Sequence, residues 1–293
     1  MPDFFSHMFL GQAAMPTMPG VFQEAASQHP SLFTLGCQGP DLYFYYKLLS
    51  PRKHREASAF ASQCHGEKTR ELLGYGASYL LEHGDDPAFT AYWTGFVCHY
   101  ALDRCAHPFV DAHTSGFRAH KKLEMHLDAY MLHKKWASAP YRVSISRLIE
   151  LPGGLPETVC GFWQGLARDV YGYDLDPAIV PDSYKGMRRI TGVYYSPRRQ
   201  SRPIKEYLGK LFGLDIGPYL SDFSAQPRLL PESGYARFES CFAEAYALAG
   251  PLGRRYGALL DGTCALEDMV KGLPDINFAG RRPANKNEFR QIL

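Results

Sequence analysis

The longest apolar stretch of the chain occupies residues 89–102 and is hydrophobic on nearly every side of a helical projection. A helix without a polar face belongs in the interior of a protein. Asp86 and Pro87 precede it, at the positions of an N-cap and a first helical residue. Pro108 disfavours helical backbone in the residue before it, so we expect this buried helix to end at His107 or one residue earlier.

Helical hydrophobic patterns continue along most of the chain, whereas alternating runs of β-branched residues are few. The fold class is therefore predicted to be all-α, a multi-helix bundle. Further helices are expected at about residues 20–28, 65–82 and 232–260, the last with a kink or break at Gly250-Pro251. Proline and glycine clusters interrupt the helical pattern at residues 151–154, 213–218 and 226–231.

Polar residues with the chemistry of metal ligands recur around the buried stretch at intervals of one helical turn. His99 and Asp103 are four residues apart and share a helix face, and His120 and Glu124 repeat this spacing. A buried imidazole or carboxylate is costly unless it is paired, and a divalent cation satisfies several such groups at once. We predict two neighbouring centres, one with His99 and Asp103, the other with His107, His120 and Glu124. Either spacing alone is equally compatible with an ordinary ion pair on a helix.

Three more positions are candidates, each with a simpler alternative. His7 lies in the apolar segment 4–10, where a single histidine is more often a packed core residue. Asp41 follows Gly39-Pro40 and is placed to cap the next helix, or to face the metals. His54 and His65 could each complete a centre, and we favour His65 because a helix entry at this position would let it reach inward.

The histidines are confined to the first half of the chain: all eleven lie between His7 and His133. Of these, His126 and His133 lie on other faces of the helix that carries His120 and are expected to be solvated. The chemistry is therefore expected in a metal-binding helical core of residues 1–135. Residues 136–293 are predicted to pack on it within the same compact unit, as scaffold, lid or substrate-binding wall.

The composition of the chain argues against several classes of function. A net charge of +2 gives no reason to expect nucleic acid as a partner. Seven cysteines at irregular spacings, without a C-x-x-C pair, fit reduced thiols. The first residues lack the pattern of a signal peptide and no run of about 18 apolar residues occurs, so we expect a cytoplasmic protein.

One segment of the chain is strongly basic, although the net charge of the whole chain is close to zero. Residues 185–205 contain no acidic side chain and carry five arginines, Arg188, Arg189, Arg198, Arg199 and Arg202. A solvated basic face is the usual explanation. Attraction to phosphate head groups, and with it transient contact with a membrane surface, is the alternative.

The ordered set His99-x-x-x-Asp103, His107-Pro108, His120-x-x-x-Glu124 resembles the bacterial zinc-dependent phospholipase C family, whose relatives include the single-strand-specific zinc nucleases. The resemblance covers about residues 5–135. It implies one zinc on His107, His120 and Glu124, and a second on His65, His99 and Asp103. It also implies a third zinc, bridged by Asp103 and bound in part by His7, and places Asp41 beside the metal pair as ligand or base.

The chain departs from the secreted members of this family in two respects. Those enzymes use the α-amino group exposed by signal-peptide removal as a ligand of the third zinc, and no signal peptide is recognisable here. The interval from Asp103 to His107 is also shorter. The resemblance therefore implies zinc as cofactor, with two or three ions.

The resemblance implies a phosphodiester hydrolase in which a metal-activated water cleaves a phospholipid or a related small phosphoester. Asp41 would orient this water or accept its proton. Two alternatives remain open, namely a metal-stabilised binding or regulatory protein without turnover, and a zinc-dependent single-strand nuclease. The near-neutral charge argues against the nuclease.

Overall fold

The computed structural model describes residues 3–48, 50–194, 202–211 and 215–282. These residues form helices and contain no strand, which confirms the all-α prediction. The α-helices are α1 (Phe4–Ala14), α2 (Gly20–Gln28), α3 (Pro30–Gly36), α4 (Pro51–Gly66), α5 (Thr69–His83), α6 (Pro87–Ala112), α7 (Phe117–Trp136), α8 (Ile145–Leu148), α9 (Glu157–Leu166), α10 (Ile179–Tyr194), α11 (Arg202–Leu211), α12 (Glu232–Leu260) and α13 (Leu266–Lys271).

Short 3-10 and π turns connect several of these helices. The 3-10 segments are Met15–Thr17, Gly39–Tyr45, Pro140–Arg142, Gly217–Leu220 and Phe223–Ala225, and the π segment is Ala167–Tyr171. None of the described helices combines the length and the apolar character needed to cross a bilayer.

The central element is α6, and its beginning agrees with the prediction. The Asp86 carboxylate accepts a hydrogen bond from the Ala88 N–H at 2.9 Å, and Pro87 occupies the first turn. Every residue from 89 to 103 is buried. Helices α3 and α12 pack along α6, so the buried helix predicted from the apolar stretch is confirmed.

The predicted end of this helix is wrong, because α6 continues through Pro108 to Ala112. A proline inside a helix cannot donate to the carbonyl four residues earlier, here that of Arg104. Gly280 packs against this point. A Cβ atom on Gly280 would lie 2.5 Å from the Pro108 ring and 2.7 Å from the Arg104 oxygen. Tertiary packing therefore overrides the local preference, and the residues after Pro108 stay on the helix.

Close approach between α3 and α6 depends on two glycines. A Cβ on Gly36 would lie 2.0 Å from the Tyr92 carbonyl oxygen, and one on Gly95 would lie 2.2 Å from that of Phe33. Only glycine allows backbones to approach this closely. The following segment, Gly39–Tyr45, consequently lies directly against α6.

The second half of the chain contributes α12, which has the predicted bounds of 232–260. Of the kink or break expected at Gly250-Pro251, the break does not occur, since the helix continues through Pro251. Buried apolar side chains form a core cluster from Phe4 to Phe278, in both halves of the sequence. The division into a core of residues 1–135 and a part of residues 136–293 remains a prediction.

The basic segment is partly paired where it is described. Arg188 contacts Glu150 at 2.6 Å, and Arg202 contacts Glu206 at 2.7 Å. Arg198 and Arg199 lie outside the described residues.

Candidate metal centre

The eight side chains singled out from the sequence come together in three groups, drawn from α1, the Gly39–Tyr45 segment, α4, α6 and α7. Within each group, one nitrogen or oxygen atom per residue lies within 4.8 Å of the others. The groups are His7 with Asp41 and His99, His65 with His99 and Asp103, and His107 with His120 and Glu124.

Asp103 belongs to the second group, also contacts His7 of the first group, and is fully buried. Its Oδ1 atom is 3.2 Å from His7 Nε2. Its Oδ2 atom is 3.3 Å from His99 Nε2 and 3.5 Å from His65 Nε2. Burial alone would raise the pKa of Asp103, but the surrounding histidines, chiefly His99, hold that pKa well below its ordinary value. Asp103 is thus an ionised carboxylate whose Oδ1 atom faces His7 and whose Oδ2 atom faces His65 and His99.

Three of the imidazoles have their Nδ1 atoms fixed by backbone carbonyl groups. A carbonyl oxygen only accepts, so each of these Nδ1 atoms carries a hydrogen, and Nε2 is the ring atom left to bind a metal. This is the arrangement by which proteins orient histidine ligands toward a metal. The pairs are His65 with Ala61 at 2.7 Å, His99 with Cys37 at 3.1 Å and His107 with Phe278 at 2.9 Å.

Phe278 was not anticipated from the sequence, although it contacts residues of all three groups. Besides accepting from His107, it donates its backbone N–H to the His65 carbonyl at 3.1 Å. Its ring packs against the rings of His65 and His99. The second half of the chain therefore contributes directly to the site. A contact across such a sequence separation leaves no local pattern that could have revealed it.

The third group lies where α6 and α7 face each other. His120 Nε2 is 2.7 Å from Glu124 Oε1. Burial lowers the pKa of His120 to about 4, so its ring is neutral near pH 7. Burial also holds the pKa of His107 well below its ordinary value. Both rings are therefore in the protonation state that a metal ligand requires.

Asp111 supports this group and was missed. Its Oδ1 atom is 3.3 Å from His120 Nδ1, and its Oδ2 atom accepts from Arg281 at 2.6 Å. It follows His107 by four residues, as Asp103 follows His99. That repeat was visible in the sequence, but the helix was expected to end before it.

Asp41 does not cap a helix, contrary to the simpler interpretation. It lies in the first turn of the Gly39–Tyr45 segment, whose N-cap is Gln38. Its Oδ1 atom is 3.2 Å from His65 Nε2, and the residue is 9% exposed. Burial raises the pKa of Asp41, but the contact with His65 outweighs it and leaves the pKa below its ordinary value.

Gly39 determines how closely this segment approaches the site. Its φ angle of +49° belongs to the left-handed region, and a Cβ there would lie 2.3 Å from the His99 ring. The glycine turn thus places Asp41 at the edge of the buried groups.

The location predicted for His65 was wrong, although the preference for it over His54 agrees with the geometry. His65 lies in the last turn of α4, and α5 begins only at Thr69, after Lys68 in a left-handed conformation. His54 directs its Nδ1 to the Tyr46 carbonyl at 2.9 Å. Among the described residues it joins none of the three groups.

His126 corrects a second prediction. It was expected to be solvated but is 1% exposed, with its ring nitrogens 3.0 Å from Gln226 Oε1 and 2.6 Å from the Tyr235 hydroxyl. Residues distant in sequence cover this face of α7. His133 is exposed, as predicted.

Asp128 fixes the start of α1, and thereby His7. Its carboxylate accepts hydrogen bonds from the backbone N–H groups of Phe5 at 2.8 Å and Ser6 at 2.5 Å, and from the Tyr219 hydroxyl at 2.6 Å. These donors belong to the open first turn of a helix, where a carboxylate is favourable. The imidazole of His7 is consequently held against Asp103.

The residues fit a bound cation. Among the described residues, no hydrogen bond reaches Nε2 of His7, His65 and His99, or either oxygen of Asp103. Unpaired buried polar atoms are costly, and five that converge on a small volume have the donor chemistry of a zinc ligand set.

The fold and these groups define a class, that of all-α proteins with clustered histidines and carboxylates that could hold metal ions in their core. Within that class, the sequence model of the zinc-dependent phospholipase C family matches residues 6–152, half of the 293-residue chain. The chain therefore belongs to the zinc-dependent phospholipase C family. No curated protein and no solved structure matches it.

Proposed function

We propose that this protein is a zinc-dependent phosphodiester hydrolase that cleaves a phospholipid or a related small phosphoester. The observation that carries the proposal is Asp103, a fully buried carboxylate with His7 at one oxygen and His65 and His99 at the other. Cations held by these histidines and Asp103 would supply the charge that binds and activates a phosphoryl group.

We assign one zinc to His65, His99 and Asp103, and another to His107, His120 and Glu124. A third would use His7 and the second oxygen of Asp103, so two or three ions are accommodated. Bound zinc supplies Lewis acidity toward phosphoryl oxygens and lowers the pKa of water toward neutrality.

Asp41 is proposed as the catalytic residue. It is the carboxylate beside the paired groups that retains some exposure, whereas Asp103 has none. Its lowered pKa keeps it ionised near pH 7, so it can orient an attacking water or accept its proton. It can also serve as an additional metal ligand.

Asp41→Asn tests the proposal. Hydrolysis of a chromogenic phosphodiester should fall by about 10²–10⁴-fold, because the amide cannot accept a proton, while most of the zinc is retained by the other proposed ligands. Zinc is measured by elemental analysis of the same samples. Asp169→Asn, which changes an exposed carboxylate outside the three groups, is the matched control and should leave both values unchanged. Fully zinc-loaded wild-type protein without any turnover would favour the non-catalytic binding protein instead.

Asp111→Asn should have a smaller effect. The variant loses the charge that holds His120, so we expect zinc affinity at the third group to fall by about 10–100-fold. Competition with a chromophoric chelator measures this affinity. Arg281→Gln removes the partner of Asp111 without touching His120 and should weaken zinc binding less. Equal affinities for wild type and Asp111→Asn would contradict this role.

We also propose that the protein acts in the cytoplasm and on substrates other than nucleic acid. All seven cysteines are free, which suits a reducing compartment. The net charge of +2 offers little attraction for a polyanion.

A further inference from the structure

Helix α11 exposes apolar residues, whereas an ordinary surface helix exposes polar ones. Its apolar residues occur at positions 204, 207, 208 and 211, the spacing of a single helix face. Ile204 and Tyr207 on this face are 65% and 64% exposed. On the opposite face Gly209 is buried, and Lys205 and Glu206 are half-buried. Two apolar residues of α11 are thus exposed while Lys205, Glu206 and Gly209 are buried or half-buried, the reverse of an ordinary surface helix, which indicates a binding surface.

The C-terminal end of α11 lies close to the helix that carries two of the proposed ligands. Asp215, which follows α11, forms an ion pair at 2.8 Å with Lys122 of α7. Burial raises the pKa of Asp215, but Lys122, the Gly217 N–H and Lys210 together lower it, so the end of α11 lies within electrostatic range of this pair. Lys122 itself stands between His120 and Glu124 in the sequence.

Helix α7, which carries His120 and Glu124, also has an exposed aromatic side chain at its start. Phe117, the first residue of α7, is 71% exposed and precedes His120 by three residues. Exposed apolar side chains therefore occur both on α11 and at the start of the ligand-bearing helix.

The charges of α11 favour an anionic partner. The helix carries three basic residues, Arg202, Lys205 and Lys210, against the single acidic residue Glu206, and Glu206 pairs with Arg202. Arg202 and Lys210 are exposed. An apolar helix face flanked by basic residues is the pattern of helices that lie in the head-group region of anionic bilayers.

We propose that the apolar face of α11, together with Phe117, docks on an anionic phospholipid surface. The docking is inferred from the exposed residues of α11 and from the charges of this helix. Its purpose, the presentation of lipid phosphoesters to the metal groups, rests on the function proposed above.

Vesicle sedimentation tests the docking. Full-length zinc-loaded protein is mixed with vesicles of phosphatidylcholine alone, or of phosphatidylcholine with phosphatidylglycerol, at low and high salt. We expect binding to the anionic vesicles at low salt, weaker binding at high salt and weak binding to the neutral vesicles. The Ile204→Ser/Tyr207→Ser variant should lose binding by about tenfold or more.

The matched control is Leu81→Ser/Tyr246→Ser, which removes an exposed leucine and an exposed tyrosine from α5 and α12 and should bind like the wild type. Unchanged thermal unfolding would show that both variants fold. Failure of the wild type to bind anionic vesicles, or full binding by the α11 variant, would overturn the proposal. Concentration-dependent dimerisation lost in that variant, without vesicle binding, would also overturn it and identify a self-association face.

Hydrolysis of a water-soluble chromogenic phosphodiester separates this proposal from the proposed function. The α11 variant should retain that hydrolysis at the wild-type rate while losing activity on vesicles. Vesicle binding by a wild type without turnover would leave the docking intact and remove the hydrolase. Turnover without vesicle binding would overturn the docking and leave the hydrolase intact.

Discussion

Replacing Asp103 with asparagine is expected to reduce phosphodiester hydrolysis by on the order of 10³-fold or more, because outer-shell changes alone cost about 10–100-fold and this carboxylate faces two groups. An amide has no charge to offset two cations. Its N–H₂ group also replaces one of the two carboxylate oxygens, on the side of either His7 or of His65 and His99, and an amide nitrogen does not bind a metal as a carboxylate oxygen does. The variant should therefore lose zinc as well as turnover, unlike Asp41→Asn.

Elemental analysis and a phosphodiester assay on the same preparation measure both quantities. The matched control is Asp86→Asn, at the other end of α6, where asparagine is as good an N-cap as aspartate. It should retain zinc and activity. An Asp103→Asn protein with wild-type zinc content and wild-type turnover would exclude the shared-carboxylate arrangement.

Chelation of zinc should lower the melting temperature by about 10 °C, since a ligand at about 1,000 times its dissociation constant contributes about 4 kcal/mol and each kcal/mol shifts a chain of this size by about 2–4 °C. The physical reason is the set of buried atoms that converge on Asp103. Without a cation, Nε2 of His7, His65 and His99 and the two oxygens of Asp103 are buried with no hydrogen-bond partner among the described residues.

Differential scanning calorimetry before and after treatment with a chelator measures this shift. Added zinc should restore the melting temperature, and added magnesium should not, because imidazole nitrogens suit zinc and magnesium prefers oxygen ligands. Asp103→Asn should show a much smaller response to chelation. An unchanged melting temperature in protein stripped of its zinc would show that the metal does not hold the core together.

Local periodicity alone pointed to four of the eight candidate ligands. Spacings of four residues on α6 and α7 identified His99 with Asp103 and His120 with Glu124, because an α-helix fixes which side chains share a face. His7 and Asp41 were different. Each had a simpler local interpretation, and only the family resemblance placed them beside the others.

The errors arose where contacts distant in sequence overrode local preference. Packing of Gly280 against Pro108 keeps α6 intact, and the helix that continues carries Asp111 to His120. Gln226 and Tyr235 bury His126 from the other half of the chain. No single-helix pattern contains this information.

The carbonyl of Phe278 has a consequence for the biogenesis of the protein. All eight proposed ligands have been synthesised once residue 124 is complete, yet the group that orients His107 is translated more than a hundred residues later. A nascent chain on the ribosome can therefore gather its ligands before it can align them. The His107 ring can therefore be held in its observed orientation only after residue 278 has been synthesised.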